Sequence, residues 1–441
     1  MHPNDHVNFG QSSNDVIPTA LHVSAVVQIE RDLLPALARL WKVLDEKSRA
    51  FHDVIKTGRT HLMDATPIRL GQEFGGYASM VEHGIARLRG VLPDLCELAL
   101  GGTAVGTGLN THPEFGRRVA ARIAKHSGLP FVEAKNHFEA QGSQDGALWA
   151  SGAVLTVASS LMKIAGDIRL MNSGPRCGLA EVTLPSVQPG SSIMPGKVNP
   201  VICEALIQVG AQVTGNHAVV TLGVQGGQLD LNTMLPVIAD NLLESVRLLA
   251  AASRVFADKA IAGLVANEET CRAYVEISLP AIQPGSSIMP GKVNPVVCEA
   301  VAMVSAQVMG NHVAITVGAQ GGPLDLNVML PMMAKNLLES IQLLAAASRV
   351  FADKAITGLV ANAETCRGYI EISPSMATAL NPLIGYDMAA EIAKRSFKER
   401  RPVRELAREM TKLSPAEIDA ALDPARQTQP GLDLGGSGGG A

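Results

Sequence analysis

Aromatic residues are scarce: Phe, Trp and Tyr make up 3% of the 441 residues, although 47% of the chain is hydrophobic. Ala, Val, Leu, Met and Gly must build the core. Such side chains suit closely packed helices better than a β-sandwich, whose strands favour Tyr, Phe and Trp. Cysteine is also sparse. None of the six (Cys96, Cys177, Cys203, Cys271, Cys298 and Cys366) lies in a C-x-x-C pair. Metal-ligand spacing is therefore missing, and the expectation is buried thiols acting as small apolar groups in a reducing cytoplasm. A basic block is lacking as well. The net charge is −4, and a nucleic-acid partner, which would want clustered cations, is not expected. A chain of this length exceeds one compact core, so two or three domains are expected.

Charge is absent from two long runs, residues 205–229 and 300–324. Each is long enough to cross a bilayer. The first carries Gln208, Gln212, Asn216, His217 and Gln225, all costly in lipid. The reading is a helix buried at the centre of a soluble bundle, with no membrane partner. The chain opens Met-His-Pro-Asn-Asp, without the basic and apolar regions of a secretory signal, so none is expected.

What is present, and unusual, is a repeat. Residues 184–278 and 279–373 align without a gap, and 71 of the 95 positions match. The stretch "QPGSSIMPGKVNP" occurs unchanged at 188–200 and 283–295. Most differences exchange one apolar residue for another; Asp240/Lys335, Arg247/Gln342 and Glu268/Ala363 change charge. Each unit reads as a loop, a long apolar helix, a break at "QGGQLDLN" or "QGGPLDLN", and a second helix. In the second helix of the first unit Leu242, Val246, Leu249 and Val255 fall near helical spacing, and in the second unit Pro323 enforces the turn at the break. Two copies of so long a unit do not make a solenoid.

Elsewhere, helices are expected over about 15–50, 71–100 and 145–172, with a turn-rich stretch "KTGRTHLMDATP" and a Gly-rich connector "GGTAVGTGLNTH" between the first and last of these. The domain division is 1–183, 184–278, 279–373, a small charged helical domain over 374–430 with Ser414 as an N-cap, and a flexible tail over 431–441.

Three stretches could carry chemistry. In the doubled loop, Gly190 and Gly196 permit close backbone approach while Pro189, Pro195 and Pro200 limit its freedom. Asn199 and Pro200 read as an N-cap and first helical residue, so the loop would end where free N–H groups favour an anion. Lys197 adds a charge, and Ser191 and Ser192 add hydroxyls. That set suits a carboxylate and the extra negative charge it gains when a neighbouring carbon loses its proton. The plainer reading is a Gly/Pro connector. In "GRTHLMDATP", His61 is the best-placed acid or base, since histidine changes charge near neutral pH; a structural hydrogen-bonder is the bland alternative. Thr60 offers a hydroxyl, and Glu204 or its counterpart Glu299 could hold the imidazole. In "HPNDHVNFGQSSND", Ser12, Ser13 and Asn14 read as donors to a polar ligand or as a capping cluster. His2 and His6 have an i, i+4 spacing, but Pro3 disfavours the helix that metal binding would need. The Gly-rich 101–112 stretch lacks the G-K-[ST] ending of a P-loop.

"GSSIMPGKVNP", "HPNDHVN…QSSND", "GRTHLMDATP", "GGTAVGTGLNTH" and "SGPRCGLAEVTLP" together resemble the fumarase/aspartase superfamily, and within it class II fumarases. The resemblance runs from residue 2 to about 425. It implies a mainly α fold, a long-helix bundle with a small helical C-terminal domain, assembling as a cytoplasmic homotetramer whose active sites draw on three subunits. It implies reversible hydration of fumarate to (S)-malate, with a small dicarboxylate substrate and no cofactor or metal. Ser191 or Ser286 matches the base at C3. Lys197 and Asn199, or Lys292 and Asn294, match carboxylate ligands, with Ser192 or Ser287 beside them. His61 matches the acid/base on the water side, supported by Glu204 or Glu299. Thr60, Ser12, Ser13 and Asn14 match substrate-binding positions, and His2, Pro3, Asn4 and Asp5 a peripheral carboxylate site. Two departures stand out. The family's N-terminal domain normally precedes the His-Pro-Asn-Asp block, which here starts at residue 2. The repeat also adds helices for which the bundle has one slot per subunit. One copy at most is expected in that slot, the second by preference. Two other readings are an inactive rearranged or truncated helical protein, and an aspartate ammonia-lyase or related lyase. The aspartase branch usually has glutamine where this chain has His61, and alanine where it has Gly196.

Overall fold

The computed structural model describes residues 1–188, 190, 193–194, 197–277, 295–320, 327 and 329–427. Its helices are α1 (Ser13–Gln28), α2 (Leu34–Ala50), α3 (Leu70–Leu95), α4 (Phe115–Ser127), α5 (His137–Gly142), α6 (Asp145–Met171), α7 (Val201–Gln225), α8 (Leu235–Val255), α9 (Glu268–Ile277), α10 (Val296–Gln320), α11 (Leu330–Phe351), α12 (Ala363–Ile372), α13 (Asn381–Ile384), α14 (Tyr386–Glu399), α15 (Val403–Met410), α16 (Pro415–Ala421) and α17 (Pro424–Gln427). A π-helical turn, Ile29–Leu33, joins α1 to α2. Where a turn-rich stretch was expected, the chain forms a hairpin of β1 (Ile55–Thr60) and β2 (Met63–Arg69). The expected flexible tail and the Pro323 turn lie outside the described residues.

The chain divides into two compact units: residues 1–54, 69–270 and 369–441 form one, residues 55–68 and 271–368 the other. In the first, α6 packs on α7, α7 on α8, and α2 on α3, with α8 also meeting α1 and α2. The core is aliphatic, including Leu37, Leu40 and Leu44 of α2, Leu161 and Ile168 of α6, and Leu242, Val246 and Leu249 of α8. Val255, expected on the same stripe, is exposed because it ends the helix. The scarcity of aromatics has a direct counterpart in helix spacing. A Cβ on Gly223 of α7 would sit 2.7 Å from Cγ1 of Ile238, a fully buried residue of α8. The C-terminal helices pack a separate small core from Leu380, Ile392, Leu406, Ile418 and Leu422. Ser414 does cap α16, in a reciprocal capping box with Glu417.

In the second unit α10 packs on α11. Both repeat copies thus fold into the same helical hairpin, closed by the same polar clasp. Asn216 is buried and donates to Ser245 Oγ at 3.1 Å, while accepting from Gln212 at 2.7 Å. Asn311 donates to Ser340 Oγ at 3.1 Å and accepts from Gln307 at 2.8 Å. What surrounds the hairpins differs. Cys203 and Cys271 are buried, and their repeat partners Cys298 and Cys366 are exposed, as is Cys177; the expectation of buried thiols holds for only half of them. Burial pushes the Cys203 thiol up to about 12 and that of Cys96 up to about 11. The buried-helix reading of the charge-free runs is corrected in the same way. It fits one face of α7, but only 6% of the apolar window of α10 is buried. By length and composition α6 and α10 could each cross a membrane.

Gly223→Ala is expected to destabilise its unit by about 1–3 kcal/mol, because the methyl group meets packed aliphatic side chains. Gly318→Ala meets mainly the flexible ends of Met332 and Met333 and should cost less; equal losses in urea titrations would contradict this packing account. His22 gives a pH prediction. Its Nδ1–H donates to the Glu97 carbonyl at 3.0 Å, and burial, the largest influence, lowers its pKa from 6.5. The neutral ring is the form that the fold favours. Its contribution is therefore complete above about pH 6.5 and is lost as pH falls through the lower folded value. His22→Gln should flatten the acid limb of a stability-versus-pH curve.

Candidate active site

The hairpin carries His61 at its tip. A two-residue loop can join only antiparallel strands, and the favoured turn demands positive φ at both positions. His61 and Leu62 meet that demand, with φ of 59° and 60°. Neither is Gly or Asn, so each conformation costs about 1–2 kcal/mol. Gly58 allows the strands to close: a Cβ there would lie 2.6 Å from the Thr66 carbonyl. The turn projects the imidazole, and its Nδ1–H donates to Glu299 Oε1 at 2.5 Å. Glu299 stands in the first turn of α10, where the helix end favours negative charge. Both partners are part-exposed. Nδ1 being committed to the carboxylate, Nε2 is the nitrogen left to exchange a proton. Next to His61, the Arg59 guanidinium lies over the Tyr274 ring, 5.4 Å from its centroid, a pairing that the sequence reading missed. Thr60 is exposed.

In the other unit, the "QSSND" segment opens α1. Ser12 Oγ accepts from the Asn14 N–H at 3.2 Å, and Asp15 Oδ1 accepts from the Ser12 N–H at 2.8 Å. The capping reading of this cluster is therefore what Ser12 does. Asn14, nearly buried, donates through Nδ2 to the carbonyls of Ala104 and Asp230, each at 2.7 Å. Its Oδ1 has no partner among the described residues. Ser13 is exposed. Asp15, which sequence reasoning passed over, is fully buried and accepts from the N–H groups of Gly101 and Thr103 at 3.1 and 3.0 Å. One carboxylate thereby fixes the Gly-rich 101–108 loop to the start of α1. The signal was available, since Ser12 and Asp15 have capping-box spacing.

The first copy of the doubled loop is pinched at its neck. A Cβ on Gly190 would lie 2.1 Å from the Lys197 carbonyl, and Asn199 donates to Gly190 O at 2.7 Å. Asn199 therefore does not cap the helix as expected: Pro200 occupies the N-cap position, and α7 begins at Val201. Lys197 is exposed. Glu204 lies 3.5 Å from the Arg169 guanidinium of α6; the sequence offered it and Glu299 as alternatives to hold the imidazole. Ser191, Ser192, Ser286, Ser287, Lys292 and Asn294 lie outside the described residues. At the N-terminus, the His2 N–H donates to His6 Nδ1 at 2.9 Å within a short π-helical turn from Pro3; the side chains of Asn4 and Asp5 are outside the described set.

Comparison with known proteins shows what the chain is similar to. A family model described as Lyase matches residues 1–215 and 250–310, and one described as Fumarase C C-terminus matches residues 376–429. The class II fumarate hydratase of Xylella fastidiosa (strain Temecula1) is 40% identical over 440 residues, which cover 100% of this chain and 73% of the relative. The chain belongs to the class II fumarate hydratase family. The class II fumarate hydratase of Nitrosomonas europaea is 55% identical over 279 residues, 63% of this chain; the matched part is 60% of that relative's length. Among solved structures, the recombinant class II fumarase of Schistosoma mansoni superposes with a TM-score of 0.61 at 32% identity, covering 96% of this chain and 72% of that one. The expected long-helix fold of the fumarase type is thus the observed one.

Asp15→Asn tests how the fumarase-family loop is anchored. It turns one acceptor oxygen into a donor facing N–H groups, and should cost about 3 kcal/mol in urea unfolding. A loss below about 1 kcal/mol would mean that the loop holds itself.

Proposed function

We propose that this chain catalyses the reversible hydration of fumarate to (S)-malate by general acid/base chemistry, as a cytoplasmic homotetramer that needs no cofactor. The observation that carries the reading is the 2.5 Å His61–Glu299 contact at the hairpin tip. In the malate-to-fumarate direction a loop serine takes the C3 proton, and the electron pair spreads onto the adjacent carboxylate. The C2–O bond then breaks, the C2=C3 bond forms, and the leaving hydroxyl takes a proton from His61 Nε2 to become water. Glu299 stabilises the charged imidazole and fixes its orientation, which is how a carboxylate supports such a ring. A serine is a poor base unless a cation and loop amides stabilise its alkoxide; Lys292 and the loop around Ser286 supply both in this reading, with Asn294 and Ser287 holding the carboxylate. Thr60, Ser12, Ser13 and Asn14 bind substrate, and His2, Pro3, Asn4 and Asp5 form a peripheral carboxylate site. Ser191, Ser192, Lys197 and Asn199 are the matching set of the first copy.

The contact at Glu299, against the ion pair of Glu204 with Arg169, favours the second copy as the working one. The test follows fumarate by its ultraviolet absorbance. His61→Ala should lose about two to four orders of magnitude in turnover. Glu299→Gln should lose at least about tenfold, and Glu204→Gln should keep most of the activity. Ser286→Ala should stop proton removal where Ser191→Ala does not. Equal effects of the two Glu variants would overturn the assignment of the copies. A folded protein that turns over neither malate nor fumarate, or one that releases ammonia from aspartate, would overturn the hydratase reading itself.

A further inference from the structure

Between α1 and α4 lies a surface hollow of about 360 Å³. Its floor is aliphatic, built from Val23 and Val27 on one side and Val119 and Ile123 on the other, all four half-buried. The spacing explains the floor. Val23, Val27 and Arg31 recur every four residues, as do Val119, Ile123 and Ser127, so each set runs along one face of its helix. The Arg31 guanidinium donates to the Ser127 carbonyl at 2.7 Å. That bond closes one end of the hollow and sets the two rows side by side. Eight residues of helix make a row about 12 Å long. The rim is basic. Arg31, Arg122 and His126 line it and are exposed, and none of the described residues lining it is acidic. Arg31 is engaged at Ser127. Arg117 and Arg118 of the same helix are both paired with Glu114. Arg122 has no such partner among the described residues.

We propose that this hollow binds one molecule of a medium-chain fatty carboxylate, its tail along the aliphatic floor and its carboxylate on Arg122. Two features select this occupant. The floor offers hydrocarbon alone, so a ligand gains there only by bringing an apolar body that displaces water. The rim offers cations with no acidic neighbour lining the hollow, so the polar end of the ligand must be an anion. A guanidinium takes a carboxylate through two parallel N–H bonds, a geometry that suits Arg122. The C-terminal end of α4 is the negative end of its dipole, and Arg31 answers it at Ser127. The anion therefore belongs on Arg122, more than one turn back along the helix. A row of about 12 Å is the reach of a saturated chain of roughly nine carbons, with bonds about 1.5 Å long. Fumarate and malate fit poorly, since each carries a charge at both ends and would set one of them against the valines. The inference concerns a second ligand site, and it stands apart from the hydratase reading.

The experiment is isothermal titration calorimetry on the full chain, with far-ultraviolet circular dichroism as a check on folding. The wild type should bind one octanoate per chain with a Kd below about 10 mM. Affinity should rise about two- to fourfold for each methylene added between hexanoate and octanoate. Octanol, which has the same tail and no charge, should bind at least about tenfold more weakly. Arg122→Ala should bring octanoate down to the level of octanol with an unchanged helix signal, since that side chain is exposed. Arg118→Ala, whose charge is engaged by Glu114, should leave binding as it was. Val119→Phe fills the floor and should weaken octanoate and octanol alike. No saturable binding below about 10 mM overturns the proposal. So does octanol that binds as well as octanoate, or an Arg122→Ala variant that binds octanoate like the wild type. Equal losses in Arg118→Ala and Arg122→Ala would mean attraction to diffuse surface charge, and also overturn it. Wild-type protein that collects on phosphatidylglycerol vesicles but takes up no octanoate would assign the basic rim to a membrane surface, with the same result.

Discussion

Each of the two repeat hairpins is closed by one buried carboxamide. Asn216 in one copy and Asn311 in the other reach across from the first helix to Ser245 or Ser340 of the second. An unpaired amide in that position would cost about 1–3 kcal/mol, so the clasp admits one register of the two helices. Glycines then let the backbones approach, and the aliphatic stripes come into line on the outer faces. Everything further, from the covered α8 stripe to the bare α11 stripe, follows from hairpins that are internally complete and externally unsatisfied.

One unit supplies one set of covering helices. α1, α2 and α6 meet α7 and α8, so within its own unit the first copy is the one packed among the other long helices. The second copy forms its own unit with the β1–β2 hairpin. There its α10 start brings Glu299 to His61. Two nearly identical stretches have thus taken different work: the first copy's helices close an aliphatic core, and the second copy's glutamate holds an imidazole. The equivalent Glu204, facing Arg169 of α6, shows how a neighbour redirects a side chain without any change in the side chain itself.

The strained tip of the hairpin belongs with that division. His61 and Leu62 both take left-handed backbone conformations, a cost that persists only where the surroundings hold it. The strand pair closed over Gly58 and the Glu299 contact provide that hold. In the other unit Asp15 does the corresponding work for the Gly-rich loop, with three backbone N–H groups converging on one side chain.

Much of the fold is legible in the sequence. The motifs at 2–15, 58–67 and 188–200 marked the family, the aliphatic composition marked packed helices, and Ser414 with Glu417 marked a cap; each is a local rule that a few adjacent residues suffice to state. The hairpin was missed because its tip has His and Leu where a primed turn ordinarily has Asn and Gly. The sequence by itself determined that residues 201–255 and 296–351 would make the same hairpin, because the clasp and the apolar period lie within each copy. Only the tertiary structure decided that Leu242 would be fully buried and Leu337 half exposed. Burial depends on which helices stand opposite, and the chain has one such set for two nearly identical claimants.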